Sequence, residues 1–84
     1  MIFTAQSTLA DIEKFRKKEG DLVIQIRKYR GCPTWNVRFF QPSPLGSPAP
    51  MRHVASGESK RSVGQALNNA AEDYERFKQG LHNG

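Results

Sequence analysis

Residues 62–77, SVGQALNNAAEDYERF, place apolar side chains at Val63, Ala66, Leu67, Ala70, Ala71, Tyr74 and Phe77. This recurrence at i, i+3, i+4, i+7, i+8, i+11 and i+14 is that of a helix with one continuous apolar stripe. Ser62 and Gln65 form an S-x-x-Q capping box at its start, and Gly80 offers a stop. A helix with one apolar stripe must bury that stripe against another layer. The three alanines keep its surface flat, so the spacing predicts a core helix lying close to a sheet.

The rest of the chain supplies that sheet. In DLVIQIRKYRG, Leu22, Ile24 and Ile26 alternate with Val23, Gln25, Arg27 and Tyr29. In TWNVRFFQ, Trp35, Val37 and Phe39 alternate with Asn36, Arg38 and Phe40. Period two marks strands with one buried face, and the Gly-Cys-Pro-Thr between them predicts an antiparallel hairpin. MRHVAS reads as a third strand, with GES turning the chain into the last helix. QPSPLGSPAP, residues 41–50, holds four prolines and a glycine and is expected to be a mobile loop. Upstream, Thr8 and Asp11 make a T-x-x-D capping box, and Leu9, Ile12 and Phe15 fall at threefold spacing. Lys17, Lys18 and Gly20 close a short helix near residues 8–19. MIFTA before it reads either as a frayed tail or as a short extra strand.

The fold class expected is therefore α+β, in α-β-β-β-α order: a three-stranded antiparallel sheet packed on one face by a long C-terminal helix, with a short N-terminal helix. With 84 residues the chain has room for one domain over 1–80, followed by a disordered tail at 81–84. The net charge of +5 is unevenly spread: Leu22–Ser62 carries seven basic residues against Glu58 alone, so the flanks sum to −1. A basic centre between balanced ends is the pattern of a surface that meets a polyanion. The plainer reading is a protein that is basic for solubility. Cys32, the only cysteine, rules out an intramolecular disulfide. No apolar run approaches a membrane span, and a cytoplasmic protein is expected.

If the helix covers the Leu22, Ile24, Ile26, Trp35, Val37 and Phe39 side, strand alternation forces the opposite set outward. That open face presents Val23, Gln25, Arg27, Tyr29, Asn36, Arg38 and Phe40, with Arg30 beside the turn and Arg52 on the third strand. Arginine bonds guanine edges, Asn and Gln bond adenine, and rings stack on unpaired bases. Strand propensity alone also puts arginine and tyrosine on solvated faces. Lys60 and Arg61 in SKRS enter the first turn of the last helix, where backbone N–H groups favour phosphate. The alternative there is that Ser62 is the true cap and both bases lie outside the helix.

The order α-β-β-β-α, the RGCPTW turn and SGESKRSVGQAL together resemble a double-stranded RNA-binding domain. The resemblance matches Gly31 and Pro33 to that family's hairpin turn, and Ser59, Lys60 and Arg61 to its serine and first two basic residues. Thr34 or Trp35 stands where the family has a turn histidine, and its third lysine falls at Gly64. Residues 22–77 are also similar to the sheet-plus-helix DNA-binding domain of lambda-type integrase arms and of plant ethylene-response factors. That resemblance implies a major-groove face using Arg27, Arg38 and Arg52.

No reaction centre is legible. Cys32 and His53 lack an orienting third group, and the sequence holds no P-loop, no dinucleotide fingerprint and no metal-spaced cluster. Catalytic residues, metal and cofactors are accordingly expected to be none. Two functions fit. One is a noncatalytic domain that grips duplex DNA or RNA through Gln25, Arg27, Tyr29, Arg30, Asn36, Arg38, Arg52, Lys60 and Arg61. The other is a small phage or mobile-element inhibitor that binds a host nucleic-acid-processing protein through Trp35, Phe40, Tyr29 and the proline loop. No membrane partner is expected, and the protein is either a monomer or a homodimer.

Overall fold

The computed structural model describes residues 2–43, 48 and 50–83. Helix α1 (Leu9–Lys18) is followed by β1 (Val23–Lys28), β2 (Trp35–Pro42), β3 (Met51–Ser59) and α2 (Val63–Asn83). The strands form one antiparallel sheet in the order β1-β2-β3, and α2 lies across β2 and β3. The α+β architecture read from the periodicities is the one observed.

Core and stripe meet as the alternation requires. Val37, Phe39, Val54 and Ala55 are buried against Ala66, Leu67, Ala70, Ala71 and Tyr74. Gly57 explains the closeness of the two layers: a Cβ there would run into the Ala70 backbone nitrogen and the Ala66 carbonyl. Ile24 and Trp35 pack at the margin of this core. Ile26, expected in the buried set, stays 38% exposed because α2 does not extend over β1.

The N-terminal segment is neither a frayed tail nor a strand. Phe3 is in the core, and the buried Asn68 side-chain oxygen Oδ1 accepts from the backbone N–H groups of Ile2 (2.8 Å) and Phe3 (3.1 Å). Thr8 and Asp11 form the expected capping box. Helix α1 is anchored through Phe15, whose ring meets Phe3, Phe39 and Tyr74 at centroid distances of 5.1, 5.8 and 6.5 Å. Leu9 does not share that contact and is 81% exposed. Each threefold step falls about 60° short of a full helical turn, so Leu9 stands about 120° from Phe15.

Three further expectations are corrected. The proline-rich segment starts later than composition suggests, because Gln41 and Pro42 belong to β2 and Ser43 N–H bonds the Pro50 carbonyl. Residues 44–47 and 49, half of the expected mobile loop, lie outside the described residues. The third strand is the longest of the three, and GES is part of it rather than a turn. Gly80 does not stop α2, which runs on to Asn83 where a tail was expected. Gly20, at φ +82°, does end α1, whereas Gly80 keeps a φ that continues a helix. Arg76 pairs with Asp73 at 3.4 Å, and Glu72 accepts from the Asn68 side-chain amide.

Candidate nucleic-acid interface

The face of the sheet opposite α2 is uncovered, and the register orders its side chains into rows. Across β1, β2 and β3 the rows are Val23–Phe40–His53, Gln25–Arg38–Ser56 and Arg27–Asn36–Glu58. Gln25, Arg27, Tyr29, Asn36 and Arg38 surround one shallow recess. Arg27 and Arg38 are diagonal neighbours on adjacent strands, which puts their Cα atoms roughly 7–8 Å apart. Both are exposed. The ion pairs among the described residues are all made by acids of the helices or of the α1 C-cap, Glu13–Arg16, Asp73–Arg76, Glu19–Lys78 and Glu75–Lys78. None of them involves a basic residue of the 22–62 segment.

Arg52 is not on this face. A register shift between Phe39 and Phe40 pairs Phe39 with Ala55 but Phe40 with His53, leaving Val54 as an extra residue in β3. Val54 and Ala55 are both buried, so the alternation changes phase at this bulge. Strict alternation back from Ser56 would have put Val54 and Arg52 on the open side. Instead His53 stands there, with its ring 5.5 Å from that of Phe40, and Arg52 turns to the helix side. The Arg52 guanidinium lies 5.5 Å from the Phe77 ring centroid. Oriented with its oxygen toward Arg52, the Gln41 amide accepts from the same guanidinium at 2.6 and 2.9 Å.

The bases before α2 sit outside the helix. Ser62 Oγ accepts from Gln65 N–H and caps α2, while Arg61 N–H donates to Ser59 Oγ at 3.0 Å. The first turn of α2 is also covered, since a Cβ on Gly64 would strike the Thr4 carbonyl. Lys60 and Arg61 therefore act from the end of β3, without the helix N–H groups. Lys60 is near enough to the β1–β2 turn that its charge helps lower the Cys32 thiol, whose main perturbation is hydrogen bonding to Thr34. Arg30 adjoins Gly31 in that turn, which has φ +79°. Arg30, Lys60 and Arg61 thus form a basic rim at one end of the sheet.

The aromatic residues offered for a protein contact are separated. Phe40 is on the open face, while Trp35 is on the helix side under the Lys28 ammonium, 4.8 Å from its ring centroid. His53, Ser56 and Glu58 belong to the open face as well: the phase change at Val54 hid His53, and the early end expected for the third strand hid Glu58. The one signal for Ser56 and Glu58 is the small, β-compatible run VASGES. No group of three or more His, Cys, Asp or Glu able to hold a metal exists among the described residues, and none of their helices is long and apolar enough to cross a membrane. Compared with protein-family models, curated proteins and solved structures, the chain matches none of them.

Proposed function

We propose that the protein is a small noncatalytic domain that binds double-stranded DNA through the open face of its sheet. The observation that supports this is the pair Arg27 and Arg38, set diagonally on adjacent strands, flanked by Gln25 and Asn36 and paired with no carboxylate among the described residues. A small sheet is narrow enough for a B-form major groove, and these side chains suit guanine and adenine edges there. The rim of Arg30, Lys60 and Arg61 suits the flanking phosphates. Glu58, at the end of the Arg27 row, restricts how closely a polyanion approaches that corner. The inhibitor reading has weaker support, because Trp35 and Phe40 do not form one patch.

Anisotropy titrations with duplex DNA, duplex RNA and single strands at two salt concentrations test the reading. Arg27→Gln/Arg38→Gln should weaken duplex DNA binding at least about tenfold and lower the salt slope by about 2. Unchanged affinity and slope would remove it. Preference for duplex RNA would favour the RNA-binding resemblance instead.

A further inference from the structure

The two edges of the sheet are treated differently. On β3, Ser56 N–H donates to Asp73 Oδ2 at 3.0 Å, and the Glu58 carbonyl accepts from Asn69 Nδ2 at 2.8 Å. Asn69 and Asp73 are one helical turn apart on α2, so that helix closes the outer edge of β3. The same bonds fix the parity of the ladder. Ser56 and Glu58 face away from β2, so Ala55 and Gly57 exchange bonds with Phe39 and Val37. Carried across the register, Asn36 and Arg38 bond β1 through Arg27 and Gln25, and the even residues of β1 point outward. Leu22 obeys this parity. Its N–H donates to the Arg16 carbonyl at 3.3 Å, and its carbonyl accepts from Arg16 Nη1 at 3.4 Å. Next along that edge stand the N–H and C=O groups of Ile24 and Ile26, which have no outer partner among the described residues.

We propose that this edge of β1 is a pairing surface for a second copy of the chain, in an antiparallel β1–β1 ladder with its twofold axis at Gln25. In that register Ile24 of each copy opposes Ile26 of the other as a hydrogen-bonded pair, exchanging both N–H···O=C bonds. The open backbone groups are thereby satisfied by the same groups of the second copy. Side chains agree with the backbone. Ile24 and Ile26 are both on the helix side, where Ile26 is left 38% exposed, and their pairing extends the apolar core across the axis. Val23, 46% exposed, comes opposite Arg27 and covers its aliphatic stem. Three of the five large apolar residues exposed among the described residues, Val23, Ile26 and Tyr29, lie on β1 or just past it. Sliding the axis to Ile26 would set Ile24 against Lys28, which makes the Gln25 register the better fit. A strand of a different protein could use the same backbone groups, but the Ile24–Ile26 complementarity is internal to this strand. The inference does not depend on what the open face binds.

Sedimentation equilibrium of the full chain from about 1 µM to about 1 mM should show the mass rising toward that of a dimer, with Ile26→Lys remaining monomeric at every concentration. Amide exchange at Ile24 and Ile26 should slow as concentration rises, while that at Ser56 stays constant. Gln25 is a non-hydrogen-bonded pair on the axis, with Cα atoms about 4.5 Å apart. Gln25→Cys in a Cys32→Ser background should therefore oxidise to a disulfide-linked dimer. A monomer throughout would overturn the proposal and leave the edge to a strand of another protein. Dimerisation that ignores Ile26→Lys and leaves Ile24 and Ile26 exchange unchanged would overturn it as well.

Discussion

The two faces of the sheet differ in what they tolerate. On the helix side, contact is made backbone to backbone at Gly57 and through alanines at 66 and 70, so no atom can be added. On the open side no layer packs over the sheet, and the long charged side chains of Arg27 and Arg38 stand exposed, so substitutions there have space. The same alternating strands produce both faces. A residue's parity in the strand therefore decides whether it packs against α2 or is left on the uncovered face.

Gly57→Ala is the strongest way to probe that contrast. Its methyl group must displace α2 from β3, and we expect a loss of about 3 kcal/mol in urea denaturation. Arg27→Gln/Arg38→Gln, two changes on the other face, should move stability by no more than about 0.5 kcal/mol. A destabilised arginine variant would mean that the open face also holds the fold. The next largest effect is expected at Asn68, which ties the N-terminal arm to α2. Asn68→Ala leaves two backbone N–H groups, those of Ile2 and Phe3, without their acceptor and should cost about 2 kcal/mol. Faster exchange of the Phe3 amide would locate the loss.

Much of this was legible in the sequence because period decides parity. Val37, Phe39, Arg27 and Arg38 fall on the faces that simple alternation assigns them. The α2 stripe and both caps, Thr8 and Ser62, were equally readable from spacing. Arg52 was not, because one extra residue at Val54 reverses the phase, and nothing in MRHVAS separates a bulged strand from a regular one. Asn68 was hidden for a related reason. Its partners are backbone groups more than sixty residues away, and a backbone N–H carries no sequence signature. Gly80 misled because glycine ends a helix only where the chain needs a positive φ, and a glycine with a helical φ simply continues the turn.

Arg52 offers a finer test of parity. Arg52→Ala removes the guanidinium from Phe77 and Gln41, and should cost about 0.5–1 kcal/mol of stability with duplex affinity changed less than twofold. A loss of affinity as large as that of the Arg27 and Arg38 variant would return Arg52 to the binding face and deny the bulge its consequence.

The smallest effect is a titration confined to the covered side. Burial, and secondarily the Glu19 carboxylate, raises the Tyr74 phenol above its ordinary 10.0. Lys78 also rises above 10.5: burial acts to lower it, but hydrogen bonds to Glu19 and Glu75 outweigh this. For both groups the folded state holds its proton more tightly than the unfolded state does. The stability they contribute is thus fully present below the unfolded values, and is lost as pH rises through the folded ones. Urea midpoints should fall above about pH 10, and Tyr74→Phe should flatten that fall while leaving Lys78 to supply the remainder. Identical alkaline slopes in the two proteins would show that the phenol is hydrated in the folded state, and that the covered face is less closed at Tyr74 than at Gly57.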